Sequence, residues 1–158
     1  LRIVLYQPEI AQNAGAAIRA AACFSAGVEI IEPCGFPADA AALRRTAMDY
    51  RALAPPRLHA SWGEFLSSRA RAAGRLLLLS TKGAVAIWDF PFAESDLLLI
   101  GRESAGVPDD VRAACDASLV IPIAPAARSL NAATAAAIAL AEARRQMGWR
   151  VEGRHGRS

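Results

Sequence analysis

The sequence is poor in the residues that would make it a metal protein or a disulfide scaffold. It has three cysteines, Cys23, Cys34 and Cys115, and two histidines, His59 and His155. None of these forms a CxxC pair or a cluster at the short spacing a zinc site needs, so no metal is expected. An odd number of thiols fits a reducing compartment, where cysteine acts as a small hydrophobe. Long apolar runs are missing as well. Leu76–Leu79 and Leu97–Ile100 are the longest strongly apolar stretches, far short of the ~20 residues that span a bilayer. No signal-peptide pattern opens the sequence, and a cytoplasmic protein with no membrane partner is expected. Lysine is nearly absent, Lys82 being the single one among 18 basic residues. Arginine is the better fork for phosphate, but a net charge of +3 is too mild to establish a nucleic-acid partner by itself.

What is present is a compact, apolar chain of 158 residues, 54% hydrophobic and 21% charged. That profile is far from the polar, charge-rich one of disordered chains. A chain of this length buries roughly two-thirds of its extended surface and needs no covalent staple. The pattern predicts one domain over residues 1–149, followed by a polar, mobile tail over 150–158.

Short apolar runs alternate with helical stretches. Strands are expected at Arg2–Tyr6, Val28–Glu32, Leu76–Ser80, Leu97–Ile100 and Leu119–Ile123, with a weaker candidate at Arg57–His59. Helices are expected over Asn13–Ser25, Ala38–Asp49 and Pro108–Ala114, from Ser61 to about Ala73, and over Ser129–Met147. Ser61 and Glu64 stand in capping-box register at the start of the helix that runs to Ala73. Leu76–Ser80 and Leu97–Ile100 are apolar without alternation, as in strands covered on both faces. The fold class is therefore α/β, a parallel sheet with helices on both faces. Ligands of such sheets bind beyond the carboxyl ends of the strands.

Three segments at such ends concentrate glycine and polar residues. After Leu97–Ile100 comes Gly101-Arg102-Glu103-Ser104-Ala105-Gly106-Val107-Pro108, which is neither a P-loop nor a GxGxxG fingerprint. It is a ligand loop or an ordinary strand-to-helix turn braced by Glu103. After Leu119–Ile123 comes Ala124-Pro125-Ala126-Ala127-Arg128-Ser129-Leu130-Asn131, where Ser129 suits a helix cap. Near the amino terminus, Asn13-Ala-Gly-Ala-Ala-Ile-Arg19 opens a helix. Its two polar ends are six residues apart and converge only if the Asn13 side chain folds back from a cap.

Taken together, these segments resemble the SpoU branch of the SPOUT RNA methyltransferases, and within it the small tRNA wobble-position 2′-O-methyltransferases. The likeness runs from Ile3 to about Trp149. It is strengthened by Ile3-Val-Leu-Tyr-Gln-Pro-Glu-Ile10, Ile31-Glu-Pro-Cys-Gly-Phe36 and Ser80-Thr-Lys-Gly83, all in order. The resemblance implies a carboxyl-terminal trefoil knot (the SPOUT α/β-knot), S-adenosyl-L-methionine as cofactor, and a homodimer whose active sites are each completed by the neighbouring subunit. It assigns Arg19, Ser129 and Asn131 to catalysis. To the cofactor it assigns Leu79, Ser80, Thr81, Gly101, Arg102, Glu103, Ile121, Ser129 and Leu130, with Glu103 as an anchor of its own loop.

The implied substrate is the anticodon stem-loop of tRNA. Arg19, Arg128, Arg144 and Arg145 are the leading RNA contacts, and Arg44, Arg45, Arg51, Arg150 and Arg154 are further candidates. Trp62, Trp88 and Trp149 are candidates for base stacking. Arg19 would act either as a base or as a cation on the phosphate beside the target ribose. A guanidinium stays charged in ordinary surroundings, which favours the second role. The chain departs from the family pattern at Ala132-Ala133-Thr134, where a Leu/Val-Ser-type stretch is usual, and at Ala141, where a tyrosine is frequent. Other readings are a 2′-O-methyltransferase for another tRNA position or ribosomal RNA, a non-catalytic knotted RNA-binding module, and an unrelated nucleotide-binding protein.

Overall fold

The computed structural model describes residues 1–38 and 50–150. The expected helix over 38–49 falls outside the described residues from position 39, and so does the tail from position 151. Seven strands form one sheet: β1 (Arg2–Tyr6), β2 (Gly27–Ile31), β3 (Pro56–His59), β4 (Leu76–Leu79), β5 (Val85–Ala86), β6 (Leu97–Ile100) and β7 (Ala117–Val120). Their order is β3-β2-β1-β6-β4-β7-β5, and every pairing is parallel. The described helices are α1 (Ala11–Cys23), α2 (Tyr50–Leu53), α3 (Trp62–Leu66), α4 (Arg69–Ala72), α5 (Asp109–Ala113) and α6 (Ala132–Gln146).

The apolar run of β6 reads without alternation because both its faces are covered. Leu98 and Ile100 join a core with Ile3, Leu5 and Leu77 beneath α1 and α6. Leu97 and Leu99 point the other way, into a core with Val4, Leu76, Leu78, Phe65 and Val111. Helices α1 and α6 meet the sheet through small residues, Ala14, Ala17 and Ala21 on one and Ala133, Ala136, Ala139 and Ala143 on the other. Such side chains let backbones approach closely and pack at the density of a protein interior.

Most expected boundaries shift by one or two residues, and three larger differences have local reasons. The helix expected from Ser61 to Ala73 is two. Ser61 caps α3 by accepting from the Glu64 amide at 3.1 Å, and the Glu64 carboxylate returns to the Ala60 amide at 2.7 Å. Ser68 then offers a second cap, accepting from the Arg71 amide at 3.3 Å, and the chain restarts. Strand β7 stops at Val120, before Pro122, which has no N–H to give the ladder. Helix α6 starts at Ala132, capped by Asn131 rather than Ser129. The two-residue edge strand β5 was too short to register as a periodic signal.

A polar chain, buried at Glu29 and His59 and partly exposed at Arg2, crosses the three strands at one side of the sheet. Glu29 of β2 accepts from the Arg2 Nε of β1 at 2.7 Å and lies 2.5 Å from His59 Nε2 of β3. Glu29 and His59 are buried, and the His59 ring meets Phe65 edge-on at 5.4 Å. Arg2 can lie across the sheet because its neighbour is Gly27, where a Cβ would stand 2.6 Å from the guanidinium carbon.

Two of the three thiols, Cys34 and Cys115, are partly buried. Burial pushes both Cys34 and Cys115 up to about 11. Cys23 is exposed. Maleimide labelling of the native protein at neutral pH should therefore give chiefly a Cys23 adduct, with Cys34 and Cys115 reacting only on unfolding. Peptide mapping by mass spectrometry reads this directly, and prompt labelling of all three would refute it.

Candidate active site

The carboxyl ends of β4, β6 and β7 open into a cleft of about 500 Å³. All nine residues assigned to the cofactor line it: Leu79, Ser80 and Thr81 after β4; Gly101, Arg102 and Glu103 after β6; Ile121, Ser129 and Leu130 after β7. They are far apart in sequence and adjacent here because β6 is inserted between β1 and β4, with β7 on the far side of β4. Asn131 also lines the cleft, as do Leu78, Ile100 and Ile123 on its apolar walls.

The loop after β6 is a closed turn. Arg102 and Gly106 exchange both backbone hydrogen bonds at 2.9 Å, and Gly106 takes φ +65°, a region open to glycine at little cost. Gly101 packs against the same residue, and a Cβ there would lie 2.5 Å from the Gly106 carbonyl carbon. Side chains then tie this turn to the other two segments. Glu103 accepts from the Glu9 amide at 2.9 Å and from Asn13 Nδ2 at 3.1 Å. Asn13 Oδ1 accepts from Asn131 Nδ2 at 2.8 Å. Asn131 Oδ1 in turn accepts from the Ala133 and Thr134 amides at 2.9 and 3.2 Å, capping α6. Glu9 closes the circuit on Ser104, whose hydroxyl and amide hold the Glu9 carboxyl below its ordinary range.

Glu103 is thus engaged as an anchor, and Asn131 as a cap with one amide hydrogen directed to Asn13. Glu9 is a site residue that the sequence reading did not single out, and Asn13 one that it weighed only as converging with Arg19. Both stand in the amino-terminal segments that carried the resemblance, and that is the signal that marks them. Arg102 is different: its guanidinium lies 5.9 Å from the Tyr6 ring centre, and its buried Nε has no hydrogen-bond partner among the described residues. Arg112 of α5 is a second cation on the cleft wall.

Arg19 is not in this cleft. It is exposed on α1, and its guanidinium lies over the ring of Tyr50 at 4.8 Å. Asn13 sits in the first turn of α1, behind the Ile10 cap, and turns to Glu103 and Asn131, so the two ends of that segment do not converge. Arg144, expected on RNA, is corrected to a structural residue. It is 5% exposed and donates to both Glu94 carboxylate oxygens and to the carbonyls of Phe24 and Ser25. A fork buried to this extent, with four of its five N–H donors engaged inside the protein, is not placed to grip a phosphate.

Arg145 is exposed and paired with Glu142, whose carboxyl it holds at about 2. Arg128 and Arg150 are exposed. Arg44, Arg45 and Arg154 lie outside the described residues. Trp62 stacks on Phe65 and meets Tyr6 edge-on, and Trp149 packs near Phe24 and over Arg144. Both are therefore packing residues, and Trp88 remains exposed. Among the described residues there is no cluster suited to a metal ion and no helix long and apolar enough to cross a membrane.

Comparison with known proteins agrees with this arrangement. The sequence model of the SpoU rRNA Methylase family matches residues 1–141. Two similar curated proteins are both named tRNA (cytidine(34)-2′-O)-methyltransferase. That of Ancylobacter novellus is 51% identical over 94% of either chain. That of Beijerinckia indica is 47% identical over 92% of this chain and 91% of its own. A solved structure concerned with the 2-OH methylation of C/U34 on tRNA superposes with a TM-score of 0.86 at 40% identity, covering 94% of this chain and 97% of that one. The SpoU methyltransferase AviRb from Streptomyces viridochromogenes, in complex with the cofactor AdoMet, gives 0.82 at 32% identity over 93% of this chain and 60% of that one. The parallel sheet, the cleft at its carboxyl ends and these likenesses together place the chain in the SpoU rRNA methylase family.

Proposed function

We propose that the protein transfers a methyl group from S-adenosyl-L-methionine to the ribose 2′-oxygen of the tRNA wobble nucleotide 34, cytidine or uridine. The observation that carries this reading is the meeting of the three motif segments in one cleft, knitted by Glu9, Glu103, Asn13 and Asn131. The cleft fits the cofactor. Its volume of about 500 Å³ falls within the roughly 300–1,000 Å³ of small-molecule sites. Leu79, Ile100, Ile121 and Ile123 give apolar walls, and the loops after β4, β6 and β7 bring polar groups to its edge.

What S-adenosyl-L-methionine supplies there when bound is an electrophilic methyl on a sulfonium whose leaving group is a neutral thioether. The chain's own task is alignment and charge management. Leu79, Ser80, Thr81, Gly101, Arg102, Ile121 and Leu130 hold the cofactor, and Glu103 fixes the loop that carries two of them. Ser129 and Asn131 position the ribose. Arg19 grips the adjoining phosphate and stabilises negative charge on the 2′-oxygen as its proton passes to water.

Arg19 stands outside the cleft of its own chain, which supports a homodimer in which Arg19 of the partner subunit completes each site. The reading also includes the trefoil knot. Its support is the likeness to the SpoU family model over residues 1–141. Arg128, Arg145 and Arg150 would meet the phosphates of the anticodon stem-loop, and the cytoplasm, where tRNA is used, is the place of action.

The test is transfer of radiolabelled methyl from S-adenosyl-L-methionine to bulk tRNA, followed by nuclease mapping. Label on the ribose of nucleotide 34 is expected. Label confined to another tRNA position or to ribosomal RNA would overturn the target, and no label in either RNA would overturn the activity.

A further inference from the structure

Among the described residues four arginines lie over aromatic rings; Arg75 and Arg144 also pair with a carboxylate, whereas Arg19 and Arg102 do not. Arg2, Arg71 and Arg145 pair with a carboxylate as well. Arg19 lies 4.8 Å from the centre of the Tyr50 ring. Tyr50 is the first residue of α2 and half-buried. Its carbonyl accepts from the Ala54 amide at 3.0 Å, and Ala54 is buried in the core beneath α1. The ring is thus carried on backbone that is itself anchored to the helix bearing Arg19.

The two ways of holding an arginine differ in what they leave free. A carboxylate takes the N–H donors along one edge of the guanidinium plane. A ring face takes none of them: its quadrupole attracts the cation through the face, and the five N–H groups remain in the plane. We infer that Tyr50 is a positioning residue for Arg19, holding the guanidinium in place by its ring face and keeping its donor edges free for an oxyanion of the RNA. This rests on the reading that Arg19 acts in methyl transfer. The phenol hydroxyl has no part in the device, so phenylalanine should replace tyrosine and an aliphatic side chain should not.

The test uses the full-length enzyme with Tyr50→Phe, Tyr50→Leu and Tyr50→Met, each alone and combined with Arg19→Ala. Transfer to tRNA is followed by single-turnover radiolabelling, and S-adenosyl-L-methionine binding and thermal melting are measured alongside. Tyr50→Phe should retain activity within about twofold. Tyr50→Leu should lower the transfer rate about tenfold or more, the scale of a misplaced reacting group, with cofactor affinity unchanged. Tyr50→Met serves the same purpose if the leucine variant is poorly folded. In the Arg19→Ala background neither aliphatic variant should lower the rate further, because there is no guanidinium left to position.

Equal losses in both backgrounds, or a Tyr50→Phe variant as impaired as Tyr50→Leu, would overturn the inference. An Arg19→Ala enzyme of normal activity would instead overturn the assignment of Arg19. Loss on Arg19→Ala with full activity in Tyr50→Leu would sink the role of Tyr50 alone.

Discussion

Arg19→Ala is expected to lower methyl transfer by about 100- to 1,000-fold, the range for removing one group that stabilises a developing oxyanion. Binding of S-adenosyl-L-methionine should stay within about twofold of the unmodified protein, because Arg19 does not line the cleft. The variant should also fold normally: Arg19 is exposed, and truncating a surface side chain usually changes stability by only about 0.5 kcal/mol. Single-turnover transfer and calorimetric cofactor binding separate the two effects. Near-normal transfer would refute the assignment.

The same variant tests the shared site. Co-expressed Arg19→Ala and Asn131→Ala chains form mixed dimers in half of the population, and each has one site with its own Asn131 and Arg19 of the partner subunit. About a quarter of normal activity should then return, whereas a site built from one chain would stay inactive in every dimer.

Glu29→Ala is expected to destabilise the fold by about 3–5 kcal/mol, because it breaks a buried pair and leaves His59 enclosed without its partner, while the partly exposed Arg2 falls back on solvent. His59 is almost wholly buried and has its Nε2 on Glu29, and Arg2 directs its Nε to the other carboxylate oxygen. A loss of that size is a large share of the roughly 5–15 kcal/mol that holds a domain folded. It should lower the melting temperature by about 6–20 °C at 2–4 °C per kcal/mol for a chain of this length. Glu29→Gln keeps the shape and one acceptor and should lose less. Denaturant titration reads both, and a Glu29→Ala midpoint within error of the unmodified protein would refute the argument.

The strands with continuous apolar runs were readable from the sequence because burial on both faces leaves a mark in composition. Leu97–Ile100 came out residue for residue. The cleft was readable for a different reason. Its residues follow strand ends, where a parallel sheet puts ligands, and the resemblance named which of them face one another. What escaped depends on tertiary direction. Arg144 and Arg145 are neighbours in one helical turn, yet one is enclosed by Glu94 and two carbonyls and the other faces solvent. Local charge pattern has no term for that. Nor did it reveal that Asn13 turns inward to Glu103 while Arg19, on the same helix, turns out to Tyr50. The break between α3 and α4 shows the competition on a smaller scale, since two serines in succession give the chain a second place to begin a helix.

The position of β6 has a consequence for how the chain is made. It pairs β1 on one side and β4 on the other, in registers that bring Leu97 beside both Arg2 and Leu76. During synthesis neither of those pairings exists until residues 97–100 have left the ribosome, so until then the nascent chain carries two open strand edges, that of β4 made of four leucines. Unpaired edges of this kind template association with other chains. The cleft, which needs the ends of β4, β6 and β7 together, is then among the last features to form, and no shorter amino-terminal intermediate can take up cofactor. The binding site therefore matures only after the segment through Asn131 has emerged.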